Sequence, residues 1–153
     1  MAAGDLLFRE ATAADVEAAA EVFVACFSRP PWSEPWSHGA AVRRLKMFAA
    51  APSFRGAVAI EEGRVVALAL GQLEGWTEGN LFLLQELCVL PERQRAGIGE
   101  RLLAHLLSEL RRRDDVVRAY LLTDAGGAAE SHFLGRGFRR SDRRVVLSRA
   151  VVG

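Results

Sequence analysis

The chain has 153 residues, a length that suits one domain with its own core. Its residues are 50% hydrophobic and 25% charged, without an internal repeat, low-complexity tract or long linker, so fibrous and disordered classes are excluded. With 20 basic and 19 acidic side chains the formal net charge is +1, a balance that argues against nucleic acid or an anionic membrane as the main partner.

Leu6 to Arg9 is a short apolar segment, expected as the first strand. Thr12 can cap a helix, with Asp15 three residues on as a short capping box. Val16, Ala20, Phe23 and Phe27 then recur at helical spacing and mark one apolar face. Ser28 to Trp36 breaks this helix, because three prolines forbid its continuation. A second helix is expected from Ser37 to Ala50, ended by Pro52.

The texture changes after Pro52. Gly56 to Leu73 reads as two strands joined by a tight turn at Glu62-Gly63. Glu74, Trp76 and Glu78 fall in an expected connection, with Trp76 read as structural, before a strand from Leu81 to Leu90. Gly97 to Arg113 is the clearest helix. Ile98, Leu102, Leu103, Leu106, Leu107 and Leu110 form its stripe, and arginines stand at its C-terminal end. A strand from Val116 to Thr123, a short helix from Ala128 to Arg136 stopped at Gly137, and a final strand or strand pair from Phe138 to Arg149 complete the chain. The predicted order is β-α-α-β-β-β-α-β-α-β, an α/β fold in which a mixed sheet packs against helices.

The two cysteines, Cys26 and Cys88, match no metal or redox spacing, so buried free thiols in a reducing compartment are expected, with no metal site. The N-terminus lacks the apolar core of a signal peptide, and no run reaches the ~18 apolar residues of a membrane span. The expectation is a cytoplasmic protein without membrane attachment, and base rates favour a two-fold homodimer.

The stretch Gln94-Arg95-Ala96-Gly97-Ile98-Gly99 lies between a strand and the start of the strongest helix. The first turn of a helix presents unpaired N–H groups and about half a positive charge. Glycines there let the main chain approach a ligand closely, and Arg95 adds a guanidinium, so the loop suits a phosphate. It is not a Walker loop, for no Gly-Lys-Ser/Thr follows, nor a dinucleotide fingerprint, for Leu102 stands where the third glycine belongs.

The longer block from Leu84 to Leu103, L-Q-E-L-C-V-L-P-E-R-Q-R-A-G-I-G-E-R-L-L, closely resembles the acetyl-CoA-binding motif of the GNAT superfamily of N-acetyltransferases. Phe8 to Asp15 is similar to that family's opening strand and helix cap, and His132 to Phe138 to its late F-Y-x-x-x-G-F element. The resemblance implies a single GNAT-like domain over residues 1–153. It implies that the amides of Arg95, Ala96, Gly97, Ile98 and Gly99 hold the pyrophosphate of acetyl-CoA and that Gln94 contacts the cofactor. The main chain of Leu87, Cys88 and Val89 would pair with the pantetheine arm as an added strand does. Phe133 would lie at the cofactor through the late motif. The implied activity is acetyl transfer to a primary amine of a small molecule or peptide.

Such an amine has a pKa of about 10.4, so only about one molecule in a thousand is neutral at pH 7, and the site must remove a proton. Glu86, in the cofactor-pairing strand, is the expected base; the alternatives are a salt-bridged strand carboxylate and a substrate anchor. Trp32, Glu34 and Trp36 border the expected acceptor pocket, where indoles and a carboxylate suit a cation. The alternative is that these tryptophans pin a proline-rich loop. Phe133 stands where the family often has a tyrosine as general acid for the departing thiolate, leaving Ser131, His132, water or unassisted departure. The rival function is a non-catalytic acyl-CoA-binding module that senses the cofactor or docks a partner.

Overall fold

The computed structural model describes residues 4–152. Its elements, in chain order, are β1 (Leu6–Glu10), α1 (Val16–Phe27), α2 (His38–Ala49), β2 (Phe54–Glu61), β3 (Arg64–Trp76), β4 (Gly79–Val89), α3 (Ile98–Asp114), β5 (Val116–Leu121) and α4 (Ala128–Leu134). The described residues fall into two compact units that meet in sequence at Leu122 and Thr123.

The first unit is a five-stranded sheet in the order β1-β2-β3-β4-β5, with α1 to α3 packed on it. Each neighbouring pair is antiparallel except β4 and β5, which run parallel. The β2–β3 turn at Glu62-Gly63 holds both residues at positive φ, 50° and 76°, the conformation of a two-residue hairpin whose twist matches its strands. Along β4, Cys88 faces Cys26 of α1, while Val89 lies against Gly99 at the start of α3. Adjacent strand residues point to opposite faces, so α1 and α3 cover opposite sides of the sheet. Phe23, Leu45, Leu68, Phe82 and Leu102 are the largest side chains sealed between these layers.

Local chemistry explains the first helix. The N–H of Thr12 donates to Asp15 Oδ2 at 2.8 Å, and Arg9 donates to both Asp15 oxygens at 2.7 and 2.9 Å. These bonds, with Arg9 the larger influence, hold the Asp15 carboxyl below the ordinary carboxylate range. A depressed carboxyl stabilises the fold above the unfolded pKa of about 3.9 and loses that contribution as pH falls through the lower folded value. Asp15→Asn should therefore cost about 1–2 kcal/mol at neutral pH, reduced by the partial exposure of Arg9. In chemical denaturation the gap between variant and wild type should close as pH falls below about 4; a gap that stays constant would remove the carboxylate as its source.

Two expected features differ. The segment around Glu74 and Trp76 is not a connection. β3 continues to Trp76 and pairs it with Gly79 across a tight turn, because cross-strand pairing continues where the local pattern fades. The expected final strand, Phe138 to Arg149, is absent among the described residues, where nothing after α4 forms a regular element. Ser141 Oγ accepts from the N–H groups of Arg143 and Arg144, bending the chain mid-segment. Val145, Val146 and Leu147 are 83%, 69% and 89% exposed. A strand is stabilised by its neighbour, and an apolar pattern does not itself provide one. Within this second unit α4 ends at Leu134 rather than Arg136, and Phe133 stacks edge-on against Phe138 at 5.3 Å.

Candidate active site

The parallel pairing of β4 with β5 runs from Asn80↔Val116 to Leu84↔Leu121 and stops. β4 continues to Val89, paired with β3 as its one strand neighbour among the described residues. The change coincides with a bulge. Leu70 pairs with Glu86 and Gly71 with Leu84, which leaves Gln85 as an extra residue on β4. Its side-chain oxygen is buried without a hydrogen-bond partner among the described residues.

The N–H of Leu90 donates to Val66 O of β3 at 2.8 Å, so the main chains of Glu86 and Cys88, in phase with Leu90, also face β3. Those of Leu87 and Val89 face the side that β5 has left. Of the three expected pantetheine-pairing residues, two therefore turn their main chain toward the opening, Val89 with its carbonyl shared with Gln94 Nε2 and its N–H against the Cys26 thiol. Cys88 instead sends its thiol into the core, beside Cys26. Burial pushes the Cys88 thiol up, whereas the hydrogen bond shared with Cys88 pulls the Cys26 thiol down.

At the end of β4 the chain makes a 3-10 turn over Pro91–Arg93 and enters the glycine loop. Arg95 and Gly97 have positive φ, 64° and 75°. A left-handed arginine costs roughly 1–2 kcal/mol, and alternating left-handed residues can form an amide-lined concavity that suits an anion. A Cβ placed on Gly97 would meet nothing within 4 Å. Arg95, Ala96 and Gly97 are exposed, and Gly99 lies close to Val89. Ile98 is buried, so only its main chain is available to a ligand. Gln94 folds back, its Nε2 donating to Val89 O at 3.0 Å, and so ties the loop to the open strand.

Glu86 sits one residue from this opening, with its side chain on the face covered by α1 and α2. It is buried, and Arg44 of α2 meets a single oxygen, Oε1: Nε donates to it at 2.8 Å, and Nη2 stands in ion-pair contact with it at 2.7 Å. Burial is the main influence and raises the carboxyl above its ordinary range; Arg44 opposes the rise, and the nearby charge of Glu34 adds to it. The Arg44 guanidinium lies 4.8 Å from the ring of Phe48 and 5.8 Å from that of Trp36. Trp36 donates to Glu34 and meets Phe23 edge-on at 4.9 Å. Trp32 rests against Phe27 at 5.2 Å. The tryptophans do pin the loop to α1, and Trp36 also joins Glu34 and Glu86 in one cluster.

Arg44 and Phe48 were not legible in the sequence. They stand one helical turn apart on α2, and only the need of a buried carboxylate for a cation hinted that such a partner exists. Tyr120, the single tyrosine, is engaged through its hydroxyl by Glu74.

A model of the acetyltransferase (GNAT) family matches residues 18–138. The chain belongs to the GNAT acetyltransferase family. Solved structures agree with this GNAT assignment at the level of fold. A protein of Clostridium difficile 630 described as a possible acetyltransferase superposes with a TM-score of 0.81 at 16% identity, covering 96% of this chain and 99% of its own. An aminoglycoside acetyltransferase from an uncultured soil metagenomic sample, in complex with sisomicin, gives 0.72 at 18% identity, covering 97% of both chains. The aminoglycoside N-acetyltransferase AAC(6')-Iy, in complex with CoA, gives 0.75 at 14% identity, covering 95% of both. No curated protein matches the sequence. Among the described residues of this GNAT chain, no helix is long and apolar enough to cross a membrane. Acyl-CoA is the ligand the family implies, and the residues present fit it: an open strand side at Leu87 and Val89, and uncrowded space over Gly97.

Proposed function

We propose that this GNAT protein acts as a single domain that moves an acetyl group from acetyl-CoA to a primary amine of a small molecule or peptide, by direct attack in a ternary complex. The observation that carries this reading is the opening beside Leu87 and Val89, placed between the glycine loop and the buried carboxylate of Glu86. Acetyl-CoA supplies an acyl group already activated as a thioester. The loop from Arg95 to Gly99 holds its diphosphate, Gln94 fixes the loop to the strand, and the main chain of Leu87 and Val89 aligns the pantetheine arm.

Glu86 accepts a proton from the acceptor's ammonium, giving the nitrogen the lone pair it needs. Its raised pKa suits that task, because a carboxyl nearer neutrality is a stronger base than an ordinary surface glutamate. Glu34 and Trp36 receive the amine's positive charge, and Trp32 supports their loop. Neither thiol acts as nucleophile: Cys26 and Cys88 are buried against each other. The departing thiol has an ordinary pKa of about 8.5, so its thiolate can leave without a dedicated acid.

Calorimetry with coenzyme A, paired with thiol release across a panel of amines, tests the proposal. Gly97→Ala and Gly97→Trp impose the same left-handed strain, but only tryptophan fills the space over the loop. The alanine variant should bind coenzyme A within a few-fold of wild type and the tryptophan variant at least about 100-fold more weakly, a loss of roughly 2.7 kcal/mol. Equal affinity in both would remove the loop from the site. Tight binding with no thiol released on any amine would establish the non-catalytic module instead, a reading favoured by the ion pair already on Glu86.

A further inference from the structure

We propose that Arg44 is a positioning residue for Glu86: its guanidinium, stacked on Trp36 and Phe48, fixes Oε1 and leaves Oε2 to take the acceptor's proton. The proposal rests on Glu86 being the base, and deepens that reading. The hydrogen bond from Arg44 Nε and the ion-pair contact of its Nη2 both fall on one oxygen, and Oε2 has no hydrogen-bond partner among the described residues. A bidentate fork would have engaged both oxygens and left neither without a bond to Arg44. The side-on arrangement pairs the charge and keeps one oxygen open. Two aromatic contacts, at 4.8 and 5.8 Å, orient the guanidinium independently of Glu86. Arg44 therefore need not move with its partner when a proton arrives.

The surroundings explain why such a residue is required. Glu86 is faced by Arg44 from α2, Glu34 from the preceding loop, Cys26 from α1 and Cys88 from β4, with apolar Leu70 opposite on β3. Arg44 is the only cation in that set. Burial and Glu34 both disfavour the charged carboxylate, and Arg44 alone opposes them. Without it the carboxyl would hold its proton further into the neutral range and could accept none from an ammonium.

The test uses Arg44→Gln and Arg44→Lys in the full chain. Glutamine removes the charge. Lysine keeps the charge but loses the planar stack and the paired Nε and Nη2 contacts on one oxygen. Two readouts are taken: the carbon-13 titration of Glu86, recognised as the carboxyl resonance absent from Glu86→Gln, and the pH profile of kcat/KM. In Arg44→Gln the Glu86 midpoint should rise by about one unit or more, the acidic limb of the profile should rise with it, and kcat above that limb should fall about tenfold, because Oε2 is no longer held in place. Arg44→Lys should move both by less than half as much. An unmoved Glu86 midpoint overturns the proposal, and so does a midpoint that rises while the limb stays in place. A limb that persists in Glu86→Gln is a different failure, for it removes the base itself.

Discussion

Glu86→Gln should lower turnover about 100-fold at pH 7, with the deficit shrinking steadily toward alkaline pH. Glutamine preserves the size of the side chain and an oxygen for Arg44, so the α2–β4 contact survives and the change falls on proton transfer. Without a base, the rate follows the fraction of acceptor already neutral. That fraction grows about tenfold per pH unit until the amine's own pKa near 10.4. The wild-type profile should instead level off once Glu86 is ionised, at a pH above that of an ordinary glutamate because burial raises its midpoint. Initial rates from pH 6 to 10 separate the two shapes. A variant that parallels wild type throughout would exclude Glu86 from proton transfer and leave it as a structural partner of Arg44.

The largest effect on stability is expected at Gly71. A Cβ there would lie 2.1 Å from the carbonyl oxygen of Leu83 and 2.6 Å from the ring of Phe82. Neither neighbour yields cheaply: one is backbone in the facing strand, and the other is among the most deeply buried side chains. Gly71→Ala should cost on the order of 3 kcal/mol or more and lower Tm by roughly 10 °C for a chain this long. Gly39 is the control. It lies in α2, and the methyl that alanine would add there has nothing within 4 Å, so that substitution should stabilise by up to about 1 kcal/mol. Thermal unfolding of the two variants measures both, and equal Tm values would show that β4 has room to withdraw. Gly71 also sits at the bulge next to the Leu70–Glu86 pair, so any Gly71→Ala protein that folds should lose activity as well.

Some features were fixed by residues close in the chain. The Glu62-Gly63 turn, the cap at Thr12 and Asp15, the leucine stripe of α3 and the glycine loop before it follow from backbone rules that act over a few residues. They were legible because each is decided by its own segment. The motif from Leu84 to Leu103 extended that local reading to the family, and the match over residues 18–138 agrees.

Pairing between distant segments decided the rest. Nothing in the pattern of β4 announces that Gln85 is bulged, since a bulge is a mismatch with β3. Nothing near Glu86 names Arg44, 42 residues away, among the 20 basic side chains available. The apolar run Val145-Val146-Leu147 after Ser141 reads as a strand, yet without a neighbour it forms none among the described residues. The sequence by itself determined the elements and the loop that suits an anion, because hydrogen bonds and steric limits within a few residues specify them. Only the tertiary structure decided where β4 parts from β5 and which cation meets the buried carboxylate, because those depend on which distant surfaces pack together.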